Sequence, residues 1–502
     1  MTTLPIDRSA TPRRGPRTVP LLIPLDPDDD VPQYRQIYLS LRRAILERTF
    51  RAGARLPASR VLADDLGVSR TTVLGAYAEL AAEGLIIARA GAGTVVATHG
   101  APTREPLDFS PSRILSERAA THLARSADVL PCPTRSFALA LPALDAFPVR
   151  TWARLGGRRW RVSPYELLRA DDGQGYAPLR SAIAEHVLLA RGVHCAANQI
   201  VVTSGALQAI DIIARLLLDA GETAWFEEPG YRPARGLFEA TGARVVSVPV
   251  DDEGLDVAFG RRHAPEARLA FVTPAYQAPL GMTMSARRRL DLLVWAQAAD
   301  AWIVEDDHAG QFRYDKSLTP ALRALAHPGA RRVIHVGSFT ETLFPALRIG
   351  YAVLPIELLE RFVMARRSVD RQSPTAEQAV LTDFIVGGHF ARHLRRMRML
   401  YGERQHAFIR LVHRELGDLL RIAPMPAGLH LIGWLPPGVC DKCVAREAGR
   451  RGVEVVPLSA MRDASSAAHP QGLMLGYAGF SATVARKGLA RLAEVIHRVA
   501  AA

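Results

Sequence analysis

The feature that most constrains this chain is an alternation in its middle. Short apolar runs at residues 200–203, 223–226, 245–250, 269–273, 302–305, 333–336 and 349–354 are separated by stretches long enough to hold a helix. An apolar run without polar alternation is a strand covered on both faces, and strands joined by helical crossovers lie parallel. The pattern predicts an α/β domain built on a mostly parallel, helix-covered sheet. From about residue 385 the rhythm changes. An Arg-rich helix over 391–410 leads into strands at 428–435, 453–458 and 473–478, the pattern of a smaller α+β lobe.

Composition excludes several classes. With 502 residues, 48% hydrophobic and 23% charged, the chain has room for more than one domain and an ample core. No apolar run approaches the roughly 18–20 residues of a membrane helix. The first residues carry Arg8, Arg13, Arg14 and Arg17 among prolines rather than an apolar signal core, so a cytoplasmic protein is expected. Four cysteines cannot supply a disulfide framework, and Cys440-Asp441-Lys442-Cys443 lacks the second pair or histidine that would close a zinc site, so it reads as a plain loop in preference to a metal or redox pair, and no metal is expected. The 63 basic against 50 acidic residues give +13, a balance that favours a polyanionic partner. GC-rich coding accounts for the arginine excess. Lysine occurs only at Lys316, Lys442 and Lys487.

Residues 1–20 read as a disordered basic tail. Beyond them, Tyr34, Ile37, Leu41, Ala44 and Ile45 follow helical spacing; Ser59–Leu66 forms a short helix burying Val61, Leu62 and Leu66; Gly67-Val68 breaks it. Ser69 then caps a third helix running to about Gly84, with Val73, Tyr77, Leu80 and Ala81 facing inward. Two strand-like pieces flank Arg89-Ala90-Gly91-Ala92-Gly93, a glycine-containing hairpin. This is the plan of a winged helix-turn-helix, whose third helix enters the major groove while the wing lies along the backbone. Ser69, Arg70, Thr71 and Thr72 crowd the start of that helix, where amides and dipole favour a phosphate and side chains reach base edges, and Arg60 is placed for a flanking phosphate. The DNA-contacting set is completed by Tyr77 and by Arg89, Gly91, Gly93 and Thr94 of the wing. A small three-helix module with a solvated polar end would show the same spacing.

Pro32-Gln33-Tyr34-Arg35-Gln36-Ile37, Gly53-Ala54-Arg55-Leu56-Pro57-Ala58-Ser59-Arg60, Leu66-Gly67-Val68-Ser69-Arg70-Thr71-Thr72-Val73 and Ala76-Tyr77 through Glu83-Gly84-Leu85 resemble the DNA-binding domain of GntR-type regulators. Ala58 and Ala92 depart from it, standing where that family often has serine. The expected division is a tail (1–20), a winged helix-turn-helix (21–98), an Arg- and Pro-rich linker (99–135) and an α/β domain (136–502) with its large lobe ending near 384 and a small lobe over 385–502.

In an open α/β sheet, ligands sit at the carboxyl ends of the strands, so the residues after each strand belong together. Thr203-Ser204-Gly205-Ala206-Leu207-Gln208 is a strand-to-helix turn whose amides suit a phosphate. Tyr231 offers an aromatic face, Asp306-Asp307-His308 ends one apolar strand, Ser338-Phe339-Thr340-Glu341 ends the next, and Arg348 follows. Singly these are ordinary turns and caps.

In this order, with Asp172-Gly173-Gln174-Gly175-Tyr176 and Gly388-His389-Phe390, they resemble the fold-type I, class I aminotransferase domain that MocR-type members of the GntR regulators carry behind their DNA-binding domain. The resemblance implies a bacterial regulator, a pyridoxal phosphate site and a head-to-tail homodimer. Gly205, Ala206, Leu207, Ser338, Thr340 and Arg348 would hold the phosphate, Tyr231 would stack on the ring, Asp306 would pair with the pyridine nitrogen, and His308 stands where the family has a tyrosine. The departure is Thr340-Glu341-Thr342, which stands where the family has its Schiff-base lysine. A carboxylate cannot condense with an aldehyde, so no covalent attachment is expected. Ala278 replaces an asparagine, and Gly472-Leu473-Met474-Leu475-Gly476 offers no arginine for a substrate carboxylate. Glu341 near Asp306 sets two carboxylates in one cleft, which either raises one pKa or selects a ligand with a positive group between them, such as pyridoxamine phosphate. The resemblance thus implies a DNA-binding regulator with a catalytically inactive, sensing domain. The competing readings are an active aminotransferase, an effector-independent DNA-binding scaffold, and a lobe that serves dimerisation alone.

Overall fold

The computed structural model describes residues 23–26, 28–89, 93–97, 115–116, 136–169, 173–314, 320–326, 332–463 and 470–501. The basic tail, most of the linker, Gly91, Ala92, Cys132, Asp172 and Lys316 lie outside them. The chain divides into two compact units, Met1–Ser112 and Arg113–Ala502.

In the first unit, α1 (Gln33–Leu46), α2 (Ser59–Leu66) and α3 (Arg70–Ala82) are followed by β1 (Ile86–Arg89) and β2 (Gly93–Val96). The α2–α3 turn follows from two residues. Gly67 takes the left-handed conformation, φ 65°, and Ser69 Oγ accepts the Thr72 N–H at 3.1 Å, capping α3. Ile37, Leu41, Leu62, Val73, Leu80, Ile86 and Val96 make the core. The inward sets differ at several positions from the sequence reading. Val61 is 52% exposed because the buried stripe of α2 runs through Leu62 and Ala63, and Leu66 is only half-buried. On α3, Ala76 is inside while Ala81, a further 100° round the helix from Leu80, is exposed. Tyr38 is buried on α1 and Tyr34 exposed. β1 and β2 pair antiparallel from Ile86–Val96 to Arg89–Gly93, and Arg55 bridges to Val95 as a third short arm of the wing.

The second unit begins with α4 (Val149–Val162), α5 (Pro164–Leu168) and α6 (Ala177–Arg191). Its large sheet comprises β3 (Ile200–Thr203), β4 (Thr223–Glu228), β5 (Arg244–Asp251), β6 (Gly254–Leu255), β7 (Leu269–Val272), β8 (Trp302–Asp306), β9 (Val333–Ser338) and β10 (Gly350–Val353) in the order β3-β10-β9-β8-β7-β4-β5-β6. β9, β8, β7, β4 and β5 run parallel, and β10 is antiparallel to both β9 and β3. The helices between are α7 (Ala206–Leu217), α8 (Arg232–Ala240), α9 (Val257–His263), α10 (Ala286–Ala298) and α11 (Leu322–Leu325), and α12 (Ile356–Val369) follows β10. Successive strand residues enter opposite apolar layers. Phe226, Phe271, Val304 and Ile334 join Ile210, Phe238 and Phe362 on one side, while Trp225, Ala270, Ile303 and Val333 join Leu292 and Trp295 on the other. That double burial is why these strands read as unbroken apolar runs.

After α13 (Thr375–Val386), the Arg-rich segment forms α14 (His389–Leu416). It is not a solvated helix. Phe390, Leu394, Met397, Tyr401, Phe408 and Val412 recur at helical spacing and are buried, so the arginines occupy the other face. The small sheet pairs β11 (Arg421–Ile422), β12 (His430–Trp434), β13 (Val456–Pro457) and β14 (Gly472–Gly476) antiparallel in the order β11-β12-β14-β13, with α15 (Asp441–Arg450) and α16 (Ala482–Ala500). Among the described residues no helix is long and apolar enough to cross a membrane.

Candidate functional site

Because β10 opposes both its neighbours, β3 runs in the same direction as β9, and the carboxyl ends of β3, β9, β8, β7 and β4 open at one edge of the sheet. Gly350 on β10 pairs with both Ser338 and Thr203, so three strand ends meet there. Gly205 leads into α7 with φ 107°, a conformation that excludes most side chains, and no side chain caps the helix. A Cβ on Gly205 would stand 3.0 Å from Arg348 Nη2, and one on Gly350 would stand 2.9 Å from Ala206 N. Arg348 Nη2 donates to Ser204 O at 2.9 Å, the Thr340 N–H donates to Ser338 Oγ at 3.1 Å, and Ser338 Oγ donates to Thr340 Oγ1 at 2.9 Å. A helix N-terminus without a cap, a guanidinium and two hydroxyls form a cradle for an anion.

The cleft beside it is acidic. Asp306 ends β8, 3% exposed, with Oδ1 buried and without a hydrogen-bond partner. Burial, then the charges of Glu341, Asp307, Glu227 and Glu305, push its carboxyl well above the usual range. Burial pushes Glu341 up to about 7. Glu227 also rises to about 7 by burial, although it accepts from Thr273 N at 3.2 Å, Thr273 Oγ1 at 2.6 Å and Gln277 Nε2 at 3.3 Å. Tyr231, N-cap residue of α8, is raised by burial and by Asp306 and Glu341 and lowered by Arg348, so all four groups share one field. His308 is pushed down to about 4 by burial and by His430, leaving a neutral imidazole 6.1 Å from the Tyr276 ring. Behind Asp306, Asp307 pairs with Arg191 at 2.8 Å, and Glu305 faces His335 at 3.1 Å.

Thus Gly205, Ala206, Leu207, Ser338, Thr340 and Arg348 line one end of the sheet edge, and Tyr231, Asp306, His308 and Glu341 border the acidic cleft. Sequence reasoning missed Glu227 and, although the turn over 276–281 is among the converging loops, gave Gln277 no role. Glu227 was legible as an acid inside the otherwise apolar run 223–226 extended by two residues. Ala278 donates its N–H to Thr273 Oγ1 at 2.9 Å, and the neighbouring Gln277 amide fills the turn, donating to Pro229 O at 2.8 Å. Lys442 and Lys487 lie on exposed faces of α15 and α16. Among the described residues no group of three or more His, Cys, Asp or Glu is placed to hold a metal.

In the first unit, Arg60, Arg70, Thr71, Arg89 and Gly93 are exposed and Thr72 and Thr94 half-buried. Ser69 Oγ also meets Thr71 Oγ1 at 2.9 Å and Thr72 Oγ1 at 2.7 Å. Tyr77 belongs elsewhere: it is 7% exposed and donates its hydroxyl to Pro57 O at 2.8 Å, so it braces the fold instead of presenting itself to DNA. Arg55 was missed. Its guanidinium lies against Gly93, where a Cβ would stand 3.0 Å from Nε, beside the wing.

Residues 33–96 match the family model of bacterial regulatory proteins of the gntR family, and residues 162–430 match that of aminotransferase class I and II. The chain is 40% identical over 471 residues to the probable rhizopine catabolism regulatory protein MocR of Rhizobium meliloti, covering 93% of this chain and 94% of that one. It belongs to the MocR-type GntR regulators. Another relative of this two-domain family is the pyridoxine biosynthesis transcriptional regulator PdxR of Corynebacterium glutamicum, 28% identical over 95% of this chain and 98% of its own length. Among solved structures, the α-aminoadipate aminotransferase LysN of Thermus thermophilus matches with TM-score 0.67 and 28% identity over 78% of this chain and 96% of its own, and the kynurenine aminotransferase of Pyrococcus horikoshii with TM-score 0.67 and 25% identity over 77% and 97%. The MocR-type chain is therefore a transcriptional regulator with a winged helix for DNA and a pyridoxal-phosphate-type domain behind it.

Proposed function

We propose that the aminotransferase-like domain of this regulator binds a small amine-bearing ligand without a covalent bond and does not catalyse. The observation that carries the reading is the half-buried Glu341 in the same field as Asp306, whose buried Oδ1 has no partner. A phosphorylated pyridine fits these residues. Its phosphate would be held by the amides of Gly205 to Leu207 with Ser338, Thr340 and Arg348, its ring would stack on Tyr231, its ring nitrogen would face Asp306, and His308 would receive its hydroxyl. When bound, pyridoxal phosphate supplies an aldehyde that condenses with amines and a ring that accepts electrons. Glu341 stands where the family's Schiff-base lysine would be, and a carboxylate cannot condense with that aldehyde. A carboxylate there favours an aminomethyl cation instead.

Calorimetry of the full chain decides. Pyridoxamine phosphate is expected to bind saturably and pyridoxal phosphate more weakly, with no colour surviving borohydride and dialysis; heat from neither form would overturn the sensing reading. DNA contact is assigned to Arg60, Ser69, Arg70, Thr71 and Thr72 and to the wing residues Arg89, Gly91, Gly93 and Thr94, with Arg55 added. We also propose a head-to-tail homodimer, supported by apolar side chains exposed on α4 and α5, among them Val162 at 70% and Tyr165 at 79%. Light scattering at the mass of one chain would dismiss it.

A further inference from the structure

Cys440-Asp441-Lys442-Cys443, expected as a plain loop, opens α15 instead. Cys440 is the helix N-cap, and its Sγ accepts the Cys443 N–H at 3.2 Å. Both cysteines are half-buried and free. The two side chains hydrogen-bond each other, so the sulfurs already adjoin, as closure to a disulfide requires. The Cys440 sulfur lies at the helix N-terminus facing an amide, whereas its hydrogen bond to the Cys443 side chain pushes the Cys443 thiol up. That asymmetry separates an attacking sulfur from a resolving one.

We propose that Cys440 and Cys443 are a redox-active pair that closes to a disulfide at the expense of a low-molecular-weight disulfide and so controls the strap that borders the ligand cleft. The Cys440 thiolate attacks one sulfur of RSSR, forming a mixed disulfide and expelling RS⁻. Cys443, its proton given to solvent, then attacks the Cys440 sulfur and expels a second RS⁻. Two protein thiols lose two electrons and two protons, and RSSR is reduced to two RSH.

The link to the cleft runs through the residue between the sulfurs. Asp441 is 1% exposed, and its carboxylate accepts from Ser459 N at 2.9 Å, from the Ser459 hydroxyl and from Gly472 N at 3.5 Å. Ser459 lies in the turn Leu458–Met461, whose Met461 O accepts the Gly230 N–H at 3.1 Å. Two residues on, Asp463 N donates to Glu228 Oε1 at 3.0 Å, and Asp463 pairs with Arg235 at 2.7 Å. Gly230 directly precedes Tyr231. Oxidation ties the capping sulfur to Cys443 and weakens it as an acceptor of the Cys443 N–H, which disturbs Asp441 and, through it, the strap over 457–463.

The test equilibrates the full chain with reduced and oxidised glutathione, counts reactive thiols, and maps the peptide containing 440–443. Two thiols are expected to disappear together and to return with dithiothreitol. Cys443→Ser should trap glutathione on Cys440, and Cys440→Ser, whose serine still caps the helix, should give no cross-link. Amide exchange over 457–463 should speed up in the oxidised protein and stay unchanged in the doubly substituted Cys440→Ser, Cys443→Ser chain. Thiols at 440 and 443 that stay reactive in excess oxidised glutathione, or a loss traced to Cys132 or Cys195, would overturn the pair. A disulfide that forms while exchange over 457–463 is unchanged would overturn the control of the strap.

Discussion

Glu341 and Glu227 each titrate near 7 in the folded chain, against an ordinary value of 4.5. Between those two values the unfolded chain releases a proton that the folded chain retains, so stability falls as pH rises through the window and levels off above about 7. Asp306, raised further, extends the decline in the same direction. The stabilisation these three acids contribute should therefore be larger at pH 5 than at pH 7.5, while the buried His186 and His308, each pushed down to about 4, act in the opposite direction below about pH 6.5. Glu341→Gln should raise the melting temperature at pH 7.5 while leaving it nearly unchanged at pH 5, as thermal scans at the two pH values will show. A cationic ligand should oppose the same decline, since its positive group relieves the carboxylates that burial disfavours. Restoring an amine tests the cleft from the other side: Glu341→Lys should turn yellow with pyridoxal phosphate and retain the label after borohydride, whereas the parent chain should not. An uncoloured Lys variant would mean that Asp306, Tyr231 and Arg348 do not form the proposed site.

At the scale of elements, α3 depends on its first residue. Ser69→Ala removes the acceptor for the Thr72 N–H and should cost about 1 kcal/mol, read as a lower denaturation midpoint of the first unit. How much of the architecture was legible follows from where its causes lie. The strands of the large sheet were readable because each is buried on both faces, so Trp225 and Phe226 or Ile303 and Val304 appear as runs whatever their partners are. The reversal of β10 was not, since strand direction is set by pairing with β9 and β3, far apart in the chain. β6 and β11, two residues each, are too short to carry a period. In the site, Asp306, Ser338 and Gly205 were found because each ends a strand or opens a helix. Arg55 and Gln277 were not, because their positions are defined by what folds against them. The Cys440–Cys443 segment was misread for a related reason: Pro436, Pro437 and Gly438 announce a loop, and the cap that begins immediately after uses sulfur in place of the usual oxygen.

For the whole molecule the charge of +13 sets how association should respond to salt. If six phosphates are neutralised, affinity for duplex DNA should fall ~10³-fold between 50 and 200 mM salt, measured by a fluorescence anisotropy titration, and a flat salt profile would exclude phosphate contact as the main source of binding. The three lysines all lie beyond residue 315, so apart from His99 every basic side chain of the first unit, including Arg55, Arg60, Arg70 and Arg89, is a guanidinium. Guanidinium groups are not substrates for lysine acylation. The grip on DNA thus offers no lysine to acetyl transfer, and a signal of that kind cannot loosen it.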